Sequence, residues 1–285
     1  MAGLPNSEIK YCYLSSEDID NGLEASGSKH KYQTIMILSF VFLKVVTDSF
    51  YAPLPYFLMD PKIKCKNETS TMKVKNHFDT YECTLSQVCR SNNDIFNIKK
   101  KNIIKYELTP TSKHTFINDF NLWCDYIKIG LLVGSASIGS IFTNIICPLL
   151  TENIGRNNTI RLTLFADILI KSLLFYVHDI YYIYAVLLCI NITNNIIYNT
   201  TALYINEMVS KDKRGVYYCF FNSLFGISGI MFTLIFNFTS SWKYLHGFSI
   251  LNGIFAFSIS VIFLEESIRF LFIKKQNEEL IGVLQ

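Results

Sequence analysis

Ile205-Asn206-Glu207-Met208-Val209-Ser210-Lys211-Asp212-Lys213-Arg214-Gly215 is a short charged stretch set between two long runs that carry no fixed charge. Ile180 to Ile205 holds no ionisable side chain besides tyrosine and cysteine, and the same is true of Val216 to Phe238. Each run exceeds the roughly 20 residues that a helix needs to cross a bilayer core of about 30 Å. The stretch therefore reads as a tight connector between two membrane helices. Lys211, Lys213 and Arg214 sit close to the helix ends, and short loops rich in Lys and Arg stay in the cytosol. With the connector inside, counting outward assigns a side to every other segment.

Composition agrees. Half of the residues are hydrophobic and 17% are charged, too apolar a balance for an ordinary soluble domain, which predicts an integral protein of the lipid bilayer. The net charge of +3 does not describe a nucleic-acid-binding face, because much of the lysine is gathered in one loop. His30, His77, His114, His178 and His246 fall on both predicted sides of the membrane, which speaks against a metal or acid–base centre. With no G-x-x-x-x-G-K-[ST] run either, no enzyme, nucleotide or other cofactor is predicted.

Residues 1–31 form a polar tail with clustered Ser15, Ser16, Glu17, Asp18 and Asp20, without the apolar core of a signal peptide, and are assigned to the cytosol. The first membrane segment occupies residues 32–59 and is expected to break near Pro53 and Pro55. Residues 60–125 make a large extracellular loop. Its Cys65, Cys83, Cys89 and Cys124 suggest two disulfides in an oxidising space, with three possible pairings, and Asn67-Glu68-Thr69 is a glycosylation sequon. Segments two to six fill residues 126–264, and residues 265–285 return to the cytosol. Gly130, Gly134, Ser137, Gly139 and Ser140 offer the second segment a small-residue packing surface. Inside ends hold Arg156, Arg161, Lys211, Lys213, Arg214, Arg269, Lys274 and Lys275, while the short outside turns hold only Lys243. The expected fold is an all-α membrane protein, a six-transmembrane-helix bundle with one large extracellular loop.

Several motifs in order resemble the amino-terminal half of a major facilitator superfamily transporter, and among these the organic cation and organic anion transporter family. Glu207 and Arg214 stand as E-x6-R with Gly215 following, and Glu266-Ser267-Ile268-Arg269-Phe270-Leu271 is similar to the P-E-S-P-R-W-L that follows helix six. Trp242-Lys243-Tyr244-Leu245 resembles W-R-x-L, and Asp119-Phe120-Asn121-Leu122-Trp123-Cys124 resembles the E-[FW]-x-L-V-C that closes the outside loop. Pro148 to Asn157 departs from G-x-x-x-D-R-x-G-R-[RK], keeping Gly155 and Arg156 but carrying Glu152 for the aspartate and Asn153 for the arginine. The resemblance spans about Thr34 to Leu280. It implies a multi-pass carrier of the plasma membrane that moves small organic ions by alternating access between two six-helix halves. Since the chain stops soon after the sixth segment, the resemblance also implies a second half, either a missing carboxyl-terminal one or another copy. A sugar-porter-like carrier, and a membrane partner or fragment without transport of its own, are the alternative readings.

Two charged pairs fall inside apolar segments. Lys44 and Asp48 share a helix face, as do Asp167 and Lys171. Each such residue costs about 2.5–3.5 kcal/mol at the centre of a membrane helix, so the pairs are expected to face protein or water and to neutralise one another. The first pair is read either as substrate-cavity lining, with Asp48 attracting a cation, or as a packing device. Asn191, Asn194, Asn195, Tyr198 and Asn199 recur at helical spacing as a polar face. The expected cavity residues are Lys44, Asp48, Tyr51, Asn195, Tyr198 and Asn199, with Tyr56 and Phe225 as further aromatic surfaces for a cation. A cytosolic gate is expected from Glu152, Arg156, Glu207, Arg214, Glu266 and Arg269, whose charges sit at helix ends.

Overall fold

A computed structural model describes residues 30–66, 80–83, 89, 105–108, 113–209 and 211–274. Asn67, the tail before residue 30 and the stretch from 275 onward lie outside the described residues, as do the side chains of Cys65 and Cys83. The elements in order are α1 (His30–Thr47), α2 (Leu54–Phe57), β1 (Ile63–Lys66), β2 (Thr80–Cys83), β3 (Lys105–Leu108), α3 (Phe116–Asp119), α4 (Tyr126–Ile154), α5 (Arg156–Leu173), α6 (Ile180–Met208), α7 (Lys211–Thr239), α8 (Trp242–Phe263) and α9 (Ile268–Ile273).

Among the described residues, α4, α6, α7 and α8 are long and apolar enough to cross a membrane. The chain is thus a mostly helical membrane protein. α1 holds a shorter apolar stretch, Ile35–Thr47, and ends before the prolines, since the chain turns at Asp48–Pro53 and resumes as the short α2. α5 has the length to cross but carries Arg156, Arg161, Asp167 and Lys171 within its 18 residues.

The loop adds strands to a fold expected to be all helical. β1 lies between β2 and β3 in an antiparallel sheet, with Ile63 opposite both Cys83 and Leu108. A disulfide joins Cys89 to Cys124, whose Cα atoms are 5.2 Å apart, and ties the loop to the start of α4. The loop also docks on the bundle through two motifs that the sequence displays far apart. Trp242 Nε1 donates to Asp119 Oδ2 at 2.8 Å, and the Trp242 ring packs on Phe116 with centroids 4.6 Å apart.

The helices bury two apolar clusters. One, toward the loop, gathers Phe50, Phe57, Phe116, Leu174, Ile183, Leu187, Phe232, Phe236 and Trp242. The other, toward the 205–215 connector, gathers Phe40, Leu43, Ile160, Leu164, Tyr204, Ile205, Phe221, Leu224 and Leu264. On each of five helices the sequence between the two clusters turns polar yet stays buried: Lys44 and Asp48 on or just after α1, Asp167 and Lys171 on α5, Asn191, Thr193 and Asn194 on α6, Ser228 on α7, Ser249 and Asn252 on α8. A polar layer therefore divides the apolar core at mid-height. Polar groups removed from water need partners: Asp48 meets Lys44 and Ser228, Asp167 meets Lys171 and Thr193, and Asn191 and Asn252 donate to backbone carbonyls, while the Ser249 hydroxyl has no hydrogen-bond partner among the described residues.

Of the five small residues expected to pack α4, Ser140 accepts from Asn195 of α6 and Gly139 packs directly against that helix. A Cβ there would lie 3.1 Å from the Asn191 Cβ and 3.1 Å from the Leu188 carbonyl oxygen on α6, whereas a Cβ at Gly130 or Gly134 would meet nothing within 4 Å. Gly253 likewise brings α8 onto Ile168 of α5.

Candidate functional site

Charged side chains collect at two levels of the bundle. The first is at the connector end. Gly155 separates α4 from α5 with φ +103° and ψ 166°, a backbone conformation that suits glycine. This sharp turn points the first backbone N–H groups of α5 at Glu266. Glu266 Oε1 accepts from the amides of Arg156 (2.7 Å), Asn157 (3.1 Å) and Ser267 (3.0 Å), and Oε2 accepts from Asn158 (3.4 Å). A carboxylate there satisfies orphan donors and complements the positive end of the helix dipole.

Arg156, the next residue, reaches across to α6. Its Nε and Nη2 donate to Glu207 Oε1 at 3.1 and 2.8 Å, and its Nη1 donates to the Thr151 carbonyl at 3.2 Å. The other Glu207 oxygen accepts from the Ser267 hydroxyl, and the guanidinium lies 5.1 Å from the Phe270 ring centre. Asn157 and Arg161 donate to the carbonyl of Leu264, and Arg161 also donates to that of Ser260, which satisfies the carboxyl end of α8. The Tyr204 hydroxyl donates to the Glu265 carbonyl at 2.9 Å. The ends of α4, α5, α6, α8 and α9 are thereby held in one network around two carboxylates.

Of the six expected gate residues, the structure brings Arg156, Glu207 and Glu266 into this network. Arg214 donates to the Val209 carbonyl at 2.9 Å, Arg269 lies half-buried on α9, and Glu152 is exposed. Glu152 and Arg156 line a cleft of about 340 Å³ together with Asn144, Cys147, Asn199 and Leu203. Ser267 and Asn157 were not singled out from the sequence. Ser267 lay within the exit motif already recognised, but a short hydroxyl beside two acids carried no separate signal.

The second level is the polar layer. Lys44 Nζ donates to Asp48 Oδ1 at 2.8 Å, both residues being 5% exposed. Asp48 Oδ2 accepts from the Ser228 hydroxyl at 2.8 Å. The Lys44 ammonium also lies 4.9 Å from the Tyr198 ring centre, 5.4 Å from Phe221 and 5.8 Å from Phe225. Rings at that range attract a cation through their negative faces. Tyr198 is held in turn, its hydroxyl donating to Asn222 at 2.8 Å and lying 3.4 Å from that of Tyr218.

On α5, Lys171 Nζ lies 2.6 Å from Asp167 Oδ2, and the pair is completely enclosed. Thr193 donates to Asp167 Oδ1 at 2.8 Å. Asn194 presses against the same pair, and with its amide nitrogen toward α5 it donates to Asp167 Oδ1 (3.2 Å) and to the Val46 carbonyl (3.3 Å).

The expected cavity set divides. Lys44, Asp48 and Tyr198 meet in one cluster, which Phe225 joins. Tyr51 is exposed and packs edge-on to Phe50. Tyr56 instead shares a hydrogen bond with Thr233 at 2.6 Å. Asn195 donates to Ser140 on α4 and to the Asn191 carbonyl, and Asn199 faces the cleft beside Arg156, so both turn toward α4 rather than toward Lys44. Phe221 and Ser228 were missed, because a phenylalanine and a serine in an apolar run look like ordinary packing.

A family model described as sugar (and other) transporter matches residues 65–285. The match takes in the whole connector-end network and stops short of Lys44 and Asp48. No curated protein matches the chain.

Proposed function

Because this chain belongs to the sugar (and other) transporter family, and is thereby a membrane transporter of the major facilitator type, we propose that it carries small organic ions by alternating access. The observation that carries this reading is the Arg156–Glu207–Ser267 cluster with Glu266 on the start of α5. The cluster joins ends of separate helices, so its bonds break when those ends part. Bonds of this kind supply the discrete coupling that a gate needs. The connector end is cytosolic in this reading, with its Lys and Arg residues inside, and six segments cross the plasma membrane. The disulfide-bearing loop is extracellular and takes a glycan at Asn67. The bundle rocks against a second six-helix half across the face that carries Lys44, Tyr198 and Phe225.

A sugar-carrier reading is favoured by the description of the matching family and stands as the second possibility. Uptake of radiolabelled tetraethylammonium, benzoate and glucose by cells expressing the chain separates the two. Tetraethylammonium or benzoate entry above background, without glucose entry, is the expected result. Glucose entry alone supports the sugar carrier. No entry of any of the three leaves a membrane partner or fragment without transport of its own.

A further inference from the structure

The two charges of the Lys44 site are unequally supported. The ammonium has Asp48 and, independently of it, three aromatic rings within 6 Å of Nζ. Its positive charge keeps favourable neighbours when Asp48 is withdrawn. The carboxylate has Lys44 on Oδ1 and the Ser228 hydroxyl on Oδ2. That hydroxyl has a second acceptor in reach, the Phe225 carbonyl at 2.9 Å. One hydroxyl proton cannot serve two acceptors fully. A proton on Asp48 resolves the competition, since Asp48 then donates to Ser228 and Ser228 donates to Phe225.

We propose that this site binds an organic carboxylate, which takes the place of Asp48 on the Lys44 ammonium while Asp48 accepts a proton from solution and donates it to Ser228. The charge balance is kept: one anion and one proton enter, and the site stays neutral overall. An organic cation fits less well, because it takes Asp48 from Lys44 and leaves two cations in one aromatic recess. The exposed rings of Phe225, beside the ammonium, and Tyr218, beside Tyr198, accommodate an apolar or aromatic body attached to the carboxylate. Of the other titratable groups nearby, the tyrosines and the α5 pair are already occupied, and His246 makes ring contacts only, its two nitrogens without a hydrogen bond among the described residues. Tyr198 on α6 bonds to Asn222 and lies against Tyr218 on α7, and the Asp167–Lys171 pair on α5 is self-neutralised behind Asn194. On α8, His246 stacks on Phe57 at 5.2 Å.

This inference rests on the carrier reading, and its test distinguishes the two. Benzoate, tetraethylammonium and glucose are titrated calorimetrically into the purified full chain in detergent at acid and neutral pH. Benzoate is expected to bind, and repeating the titration in buffers of different ionisation enthalpy is expected to register one proton taken up per benzoate. Affinity falls with rising pH, by as much as about tenfold per unit where Asp48 must gain its proton. Asp48→Asn, which is neutral at every pH, binds benzoate without proton uptake. Lys44→Gln weakens benzoate by about tenfold or more, the loss of one charge-assisted hydrogen bond. Lys44→Arg retains it, which separates lost charge from misfolding. Benzoate binding without proton uptake, or unaffected by Lys44→Gln in a monodisperse protein, overturns the proposal. Binding of tetraethylammonium in place of benzoate overturns it while leaving the organic-ion reading intact, and binding of glucose alone overturns both in favour of the sugar carrier. If none of the three binds to monodisperse protein, both fall.

Discussion

Arg156–Glu207 and Asp167–Lys171 use the same chemistry, a buried cation on a buried carboxylate, in opposite ways. The partners in the first come from different helices and lie 51 positions apart in the chain; those in the second lie four apart on one helix. A pair carried on one helical turn travels with its helix and survives any rigid-body motion. A pair between helix ends exists in one arrangement of those helices and is lost in another. The first can therefore report conformation, whereas the second can only anchor its own helix in the protein interior. Lys44–Asp48 stands between them: the pair itself is local, but Ser228, Tyr198 and Phe221 around it come from other helices.

The largest effect is expected where the comparison is most extreme. Lys171 is 0% exposed, and replacing one member of a fully buried pair leaves an uncompensated charge, at a cost of about 3–5 kcal/mol. Asp167→Asn or Lys171→Met is expected to lower the thermal midpoint and the yield of monodisperse protein severely. Combining the two should recover much of the loss, because charge is then absent on both sides. A single variant as stable as the parent would show that the pair is not the anchor described here.

Next comes the pair between helices. Glu207→Gln removes a charge that Arg156 grips with two donors, a loss of about 1.5–3 kcal/mol for a charge-assisted bond. The expected change is in turnover rather than surface level, measured by initial uptake rate against cell-surface labelling. Arg156→Gln should give the same change, and the double variant no more than either alone. Fully additive effects would remove the coupling on which the gate depends. Gly155→Ala acts on the same network through the backbone. Its Cβ would lie 2.6 Å from Glu266 Oε2, and the conformation at residue 155 costs a non-glycine residue about 1–3 kcal/mol. In a Glu266→Ala background, which has lost both the clash and the cap, Gly155→Ala should lower the midpoint by less than it does in the parent, though the backbone strain keeps it from being neutral.

The contrast also explains what could be read from the sequence. Four-residue spacing on a helix predicts a meeting of side chains, and both local pairs form as the spacing implies. The apolar runs likewise announce α4, α6, α7 and α8. The expected gate set held Glu207, Arg156 and Arg214 together without assigning partners, and the structure gives Glu207 to Arg156, a residue of another motif, while Arg214 bonds the Val209 carbonyl. Which motif meets which depends on how helix ends converge, and local periodicity carries no information about that. The asparagines of α6 show the same limit: their spacing marked a polar face, yet Asn194 turns to α5 while Asn195 turns to α4, because the stripe is wide enough to serve two neighbours. The small sheet escaped notice because its strands are four residues long and separated by polar sequence, too short for an alternating pattern to stand out.

The smallest effect belongs to a third local pair, Asp125–Lys128, at 2.9 Å with side chains 36% and 43% exposed. It matches the buried pairs in chemistry and lies in water, so its lysine shows what such a charge contributes without burial. The Lys128 ammonium, helped by the Lys128 amide, holds the Asp125 carboxyl below the usual carboxylate range. A depressed carboxyl stabilises the fold above its unfolded pKa of about 3.9 and ceases to do so as pH falls through its folded value. Thermal scans between pH 5 and 8 should therefore be insensitive to this pair, with its contribution disappearing only in stronger acid. Water and salt screen such a pair, so Lys128→Gln should leave the midpoint nearly unchanged. Asp125→Ala should cost more than Lys128→Gln, because Asp125 Oδ1 also accepts from the Lys128 amide at 3.1 Å and caps α4. If Lys128→Gln matched Lys171→Met, burial would not be what separates these pairs, and the distinction between anchor and surface charge would fail.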